Sequence, residues 1–211
     1  MSGFAGFPFA GLDFYEDLEA DNSKAFWNEH KHVYDASVRA PMLALTAELE
    51  EDFGTAKLFR PYRDVRFSKN KLPYKEHQGA FIAVGPATGW YVQIGAPGLF
   101  VAGGVYAMGS EQLARLRTTI DDDVRGPELE RLLDELTTAG YEIGGDQLKT
   151  RPKGYDADHP RIELLRHKSL VVRRDFGAPK WLETRRTAKE VRTAWEAMRP
   201  LVDWLGAVLG S

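Results

Sequence analysis

GAFIAVGPATGWYVQIGAPGLFVAGGVY, residues 79–106, is the stretch that decides the fold class. Three short runs rich in aromatic and β-branched residues, GAFIAVG (79–85), WYVQIG (90–95) and GLFVAGGVY (98–106), are separated only by turn residues such as Gly-Pro-Ala-Thr-Gly and Ala-Pro-Gly. Strands joined by connections this brief are expected to be antiparallel neighbours, because a parallel crossover needs a dozen residues or more. Gly103 and Gly104 inside the third run mark a bulge or a close backbone approach.

Working outward, both flanks read as helix. Leu12–Leu18 carries apolar residues at helical spacing, Asp21 and Asn22 supply cap chemistry for a second helix through Val38, and Pro41 opens a third. Trp27, His30, Tyr34 and Val38 fall on one stripe of the second helix, which reads as core, with His30 a hydrogen-bonded core residue rather than a ligand. After the strands, Ser110 is placed as the N-cap of EQLARLRTTIDDD, and Pro127 opens ELERLLDELTTAG, which Gly140 stops. YEIGGDQLKT and SLVVRRDF (169–176) read as strands on either side of an irregular segment and a short helix. In the last thirty residues Ala188, Val191, Trp195, Met198, Val202, Leu205 and Leu209 keep a three-four spacing across Pro200, which is expected to kink or divide the helix. That stripe either closes the core or holds a second subunit, so monomer and homodimer both stand open.

The expected fold is therefore α+β: a single domain, 1–211, whose central antiparallel sheet packs against N-terminal and C-terminal helices. Its parts are helical at 11–53, mainly strands at 57–106, mixed at 110–176 and a C-terminal helix at 179–209.

Composition narrows the function. The 211-residue chain has no cysteine, which excludes disulfides, thiolate nucleophiles and cysteine-based metal centres. The start, MSGFAGFPFAGL, lacks the charged and apolar regions of a secretory signal, and no run approaches the length of a membrane span, so a cytoplasmic protein with no membrane contact is expected. The Walker A loop, G-x-G-x-x-G after a strand, G-x-S-x-G and H-E-x-x-H are all missing. The five histidines suggest no metal site, since His30 and His32 lie on different faces of a helix.

Against a net charge of -3, residues 60–75, RPYRDVRFSKNKLPYK, hold six cations and one carboxylate. If 58–68 is a strand, Arg60, Tyr62, Asp64, Arg66 and Ser68 share a polar face while Arg63, Val65 and Phe67 point inward. Asp64 then tempers Arg60 and Arg66. Lys69, Lys71 and Lys75 follow with no acidic residue before Glu76, in a turn marked by Asn70 and Pro73, where lysine ends and backbone N–H groups can converge on a phosphate or carboxylate. Tyr62, Phe67 and Tyr74 interleave with these cations, a weak sign of single-stranded nucleic-acid binding that the acidic remainder of the chain opposes. A second polar segment places Lys153, Asp156, Asp158 and His159 close together; it suits a metal or acid–base pair, but equally a cap by Asp158 on a helix begun by Pro160, the reading preferred.

The segments FAGFPFAGLDFYEDLEADNSKAFWNEHKHVYDASVRAPM, LFRPYRDVRFSKNKLPYKEHQGAF, GWYVQIGAPGLFVAGGVYAM and PKGYDADHPRIELLRHKSLVV together resemble an uncharacterised family of bacterial and fungal proteins, a domain of unknown function. The resemblance spans nearly the whole chain and implies a soluble α+β domain, with no activity attached. The matching positions are Asn22, Lys24, His30 and Tyr34; Arg60, Arg63, Asp64, Arg66, Ser68, Lys69, Lys71 and Lys75; and Lys153, Gly154, His159, Pro160 and Lys168. Asn70 departs from the aspartate usual there, which weakens a carboxylate base at that position.

Two functions are weighed. In the first, Arg60, Arg63, Arg66, Ser68, Lys69, Lys71, Lys75 and Lys153 bind a small anionic ligand, with His159 and Asp64 as the catalytic candidates should the protein be an enzyme. In the second, the basic segment of a non-enzymatic module docks on nucleic acid or an acidic protein surface.

Overall fold

Alternation of side chains along a strand makes one sheet face apolar, and the three runs at 79–106 obey it. In the computed structural model, which describes residues 3–64, 66 and 71–210, they form β2 (His77–Gly85), β3 (Thr88–Gly95) and β4 (Gly98–Val105), after a short β1 (Ala56–Leu58). With β5 (Glu142–Gly144) and β6 (Leu170–Gly177) they make one six-stranded antiparallel sheet, order β1-β2-β3-β4-β6-β5. Leu58 stands opposite Ala80 and Ala56 opposite Ile82, and Glu142 stands opposite Arg173. Val92, Ile94, Leu99 and Val101 are fully buried, whereas Tyr91, Gln93 and Phe100, which alternate with them, are only half-buried. The chain is α+β, as its patterning indicates.

The helices are α1 (Ala10–Ala20), α2 (Lys24–Tyr34), α3 (Ala40–Phe53), α4 (Ser110–Asp121), α5 (Arg125–Thr138), the one-turn α6 (Ile162–Leu165) and α7 (Arg186–Leu209). A π-helical turn, Asp35–Arg39, joins α2 to α3 without a break, and Pro41 lies in the first turn of α3. Trp27, Tyr34 and Val38 are buried as their spacing requires, while His30 is half-buried, stacked on Phe26 and bonded through Nδ1 to the Phe26 carbonyl.

Three helix starts differ from the expected ones. Ser23, and neither Asp21 nor Asn22, caps α2 by accepting the Phe26 N–H at 3.1 Å. Gly109 stands at the N-cap of α4, where Gln112 reaches back to its N–H, and Ser110 is already helical. Helix α5 begins at Arg125, two residues before Pro127. Each displacement is small because several adjacent polar residues compete for one cap, and tertiary contacts choose among them.

All seven apolar residues of the α7 stripe are buried within the chain, which uses the stripe as core rather than leaving it for a second subunit. The helix runs unbroken through Pro200, so the proline does not divide it.

Contacts divide the chain into two compact units, one of Met1–Ile82, Tyr91–Val101 and Asp175–Thr193, the other of Ala83–Trp90, Ala102–Arg174 and Ala194–Ser211. In the first, Phe4, Phe7, Leu18, Met42, Leu45 and Leu49 fill the core with the even face of β2. In the second, Trp90 meets Trp195 at 6.0 Å among Leu116, Ile120, Leu129 and Leu133.

Candidate functional site

Among the described residues after Leu58, 59–64 and 66, the basic segment does not continue the strand expected over 58–68. Strand β1 ends at Leu58, and the chain then folds into a narrow hairpin whose arms meet where Arg63 N–H donates to the Pro73 carbonyl and Lys75 N–H to the Pro61 carbonyl, both at 2.8 Å. Tyr62 faces Tyr74 between these bonds. The two prolines sit where only their carbonyls are used, which is why the arms tolerate them. Val65, Phe67, Ser68, Lys69 and Asn70 lie outside the described residues, so the roles expected for Ser68 and Lys69 do too.

Burial alternates along 60–64 as expected, with Arg60, Tyr62 and Asp64 exposed and Arg63 half-buried. Tyr62 and Tyr74 turn to the helices: their rings are 5.4 Å apart, and Tyr74 stacks on Trp27 at 4.3 Å and 8°. Arg63 and Lys75 therefore share the opposite side of the hairpin. Tyr74, 4% exposed, is the ring buried against Trp27, whereas Tyr62 lies at the rim of that contact, 48% exposed.

Asn22 locks the hairpin. Its side-chain oxygen accepts the Tyr74 N–H at 3.0 Å and its amide nitrogen donates to the Tyr74 carbonyl at 3.2 Å, which imitates one rung of a β-ladder. Changing Asn22 to alanine is expected to cost about 1–3 kcal/mol, because the Tyr74 N–H loses its acceptor. Asn22→Asp, which keeps the acceptor, should cost less; urea denaturation of the two variants measures the difference.

Arg63 is held by two contacts, Nε to the Tyr74 carbonyl and Nη2 to Glu76 Oε2, each at 2.8 Å. Asp64 and Arg66 form a self-contained exposed pair, with Arg66 Nε, Nη2 and backbone N–H all donating to the carboxylate. The Arg66 side chain, then its backbone N–H, holds the Asp64 carboxyl below its ordinary value, with a smaller contribution from Arg60. A carboxylate so held is a poor proton acceptor.

Lys75 extends along Phe59, its ammonium 5.3 Å from the ring centre. Burial, then the charges of Arg60 and Arg63, push the lysine below its usual value. His77, the next residue on the same side, is lowered by burial, then by Lys75 and Arg63, against a smaller opposing effect of Glu76. Arg60, Arg63, Lys75 and His77 thus crowd one another, and among the described residues neither Arg60 nor Lys75 is paired with a carboxylate. Lys71 is exposed on the far part of the hairpin.

The sheet face beside this cluster is aromatic. Phe59, Tyr91 and Phe100 lie in a row, with ring centres 6.2 and 5.7 Å apart, and the Tyr91 hydroxyl donates to Gln93 Oε1 at 2.7 Å. Gly79 is needed below that row, since a Cβ there would come within 2.4 Å of the Tyr91 hydroxyl. Burial pushes the Tyr91 hydroxyl up to about 12.

His159 and Lys153 belong to the other unit. His159 Nδ1 accepts the Arg161 N–H at 3.0 Å, which places the proton on Nε2, and Nε2 donates to Asp121 Oδ1 at 2.9 Å. Both ring nitrogens are engaged in joining α4 to the loop before α6, and Arg161 completes the joint by donating to the Ile120 carbonyl at 2.6 Å. Asp158 does not cap the short helix: α6 starts at Ile162 with Arg161 in the cap position, because the histidine already satisfies the Arg161 N–H. Lys153, Asp156 and Asp158 are exposed.

Sequence reasoning did not single out His77, Phe59, Tyr91 or Gln93. The available signal was the period of two running Lys75, His77, Gly79, Phe81, which starts the strand two residues earlier than its apolar run.

The family model described as conserved hypothetical protein (DUF2461) matches residues 10–204, so the chain belongs to that family. No curated protein matches the chain.

Proposed function

We propose that this DUF2461 member binds a small anion, phosphate- or carboxylate-bearing, on Arg60, Arg63, Lys75 and His77. The observation that carries the reading is the position of Lys75, which is drawn into a partly buried place beside Arg60 and Arg63 without a carboxylate among the described residues. Two like charges about 7 Å apart repel by roughly 2 kcal/mol at an effective dielectric of ~20, so leaving them together costs stability that a bound anion returns. Arg63, fixed by Tyr74 and Glu76, offers a rigid edge, and Lys75 a movable point charge.

Isothermal titration with inorganic phosphate, citrate and phosphorylated sugars tests the reading. Lys75→Ala and Arg60→Ala should each weaken binding by roughly tenfold or more, the usual worth of a charge-assisted hydrogen bond. No heat and no melting shift at millimolar concentrations of any of them overturns it.

The histidine adds a pH signature. With its folded value below its ordinary ~6.5, His77 is neutral at pH 7, and the unfolded chain takes up its proton first as the pH falls. Stability of the free protein therefore declines below about pH 6.5 on account of this group. A bound anion offsets the Lys75 and Arg63 charges and raises the histidine, so binding should tighten from about pH 7.5 to about 5.5 with proton uptake. Titration with sulfate, whose charge is constant over this range, in buffers of different ionisation heat measures that uptake, and His77→Asn should abolish it.

A further inference from the structure

We propose that the anion is the phosphate of a mononucleotide, whose base lies on the row of rings formed by Phe59, Tyr91 and Phe100. The inference rests on the anion-binding reading above and adds the ligand class. The strand period puts the rings on the same side of the sheet as Lys75 and His77: Phe59 N–H bonds to the Gly79 carbonyl at 3.0 Å, and a Cβ on Gly95 would lie 3.4 Å from the His77 Cβ. Lys75, resting on Phe59, marks the junction between the charged and aromatic parts.

Two features of this face suit a base rather than a bare acid. The rings are half-buried, unlike the fully buried Ile82, Val92 and Ile94 of the opposite face, so they retain accessible π surface. Gln93 gives its oxygen to Tyr91, and among the described residues its amide nitrogen has no partner, leaving a donor for the edge of a base. Inorganic phosphate or a small carboxylic acid would use the cations and leave the rings and the amide idle.

Titration of the whole chain with inorganic phosphate, adenosine and adenosine 5′-monophosphate separates this proposal from the one beneath it. The monophosphate should bind at least roughly tenfold more tightly than phosphate, since stacking of a base on aromatic side chains is worth about that much or more. The ring protons of Phe59, Tyr91 and Phe100 should shift upfield in NMR spectra with the monophosphate and stay in place with phosphate. Phe100→Leu, which keeps apolar volume, should lower monophosphate affinity roughly tenfold and leave phosphate affinity unchanged. If phosphate binds and the monophosphate binds no better, the nucleotide proposal falls while anion binding stands. If neither binds, both fall. Equal loss of both ligands in the Phe100→Leu variant assigns the ring a purely structural role and overturns the proposal. So does an oligoadenylate that binds far more tightly than the monophosphate with steep salt dependence, because the face would then serve a strand.

Discussion

Trp27→Ala is expected to destabilise the protein by about 3–5 kcal/mol and to remove anion binding with it. The indole is 2% exposed, stacks on Tyr74 at 4.3 Å, and touches Phe14, Tyr34 and Tyr62 with ring centres 5.8, 4.9 and 5.9 Å away. Removing it leaves a cavity against which the Tyr62 and Tyr74 side of the hairpin cannot close, and Arg63 and Lys75 lose their fixed spacing. The buried indole N–H has no hydrogen-bond partner among the described residues. Trp27→Phe therefore sheds an unsatisfied donor while losing only part of the packing, and should cost much less than alanine. Denaturation in urea gives the stabilities, and titration with phosphate gives the binding. A loss below about 1 kcal/mol in the alanine variant would show that the aromatic cluster does not organise the hairpin.

The second large effect belongs to Gly104. Its φ is +137°, and a Cβ there would lie 2.3 Å from the Leu170 carbonyl oxygen and 2.9 Å from the Val171 Cα. Both neighbours are backbone of β6, which cannot step aside without breaking the ladder to β4. Gly104→Ala combines this clash with a backbone conformation that costs an L-residue about 1–3 kcal/mol by itself. The expected total is about 3–5 kcal/mol, a fall of roughly 10 °C in Tm for a chain of this size. Gly103→Ala is the control: its Cβ would meet the Val202 and Met198 side chains and the Trp90 ring at 3.1–3.2 Å, and the flexible methionine can yield. That change should cost about 1–3 kcal/mol. Thermal melts of the two variants compare them directly, and equal losses would refute the backbone argument.

The glycine pair is legible in the sequence because its signal is local: residues without side chains inside an apolar run point to a close backbone approach. The same holds for β2, β3 and β4, where alternation and intervening Gly and Pro report on neighbours close in the chain. The basic segment is legible only in its charge. Its pairing depends on Trp27 and on Asn22, which lies 52 residues before the Tyr74 it binds. A period-two reading has no access to the indole that buries Tyr74, nor to the hairpin pairing that brings Lys75 beside Arg63. His159 shows the same limit, since an imidazole near aspartates looks reactive until Asp121 and the Arg161 N–H occupy both of its nitrogens.

What the sequence by itself determined is the α+β class, the order of helices and central strands, the apolar stripe of α7, and the location of the surplus positive charge. Those follow from periodicity and composition, which act over a few residues. The tertiary structure alone decided which cations stand together, that Asp64 is spent on Arg66, and that the charged hairpin adjoins the Phe59, Tyr91 and Phe100 face. Electrostatic crowding and ring contacts depend on distances between segments far apart in the chain, and only the packed fold sets those distances.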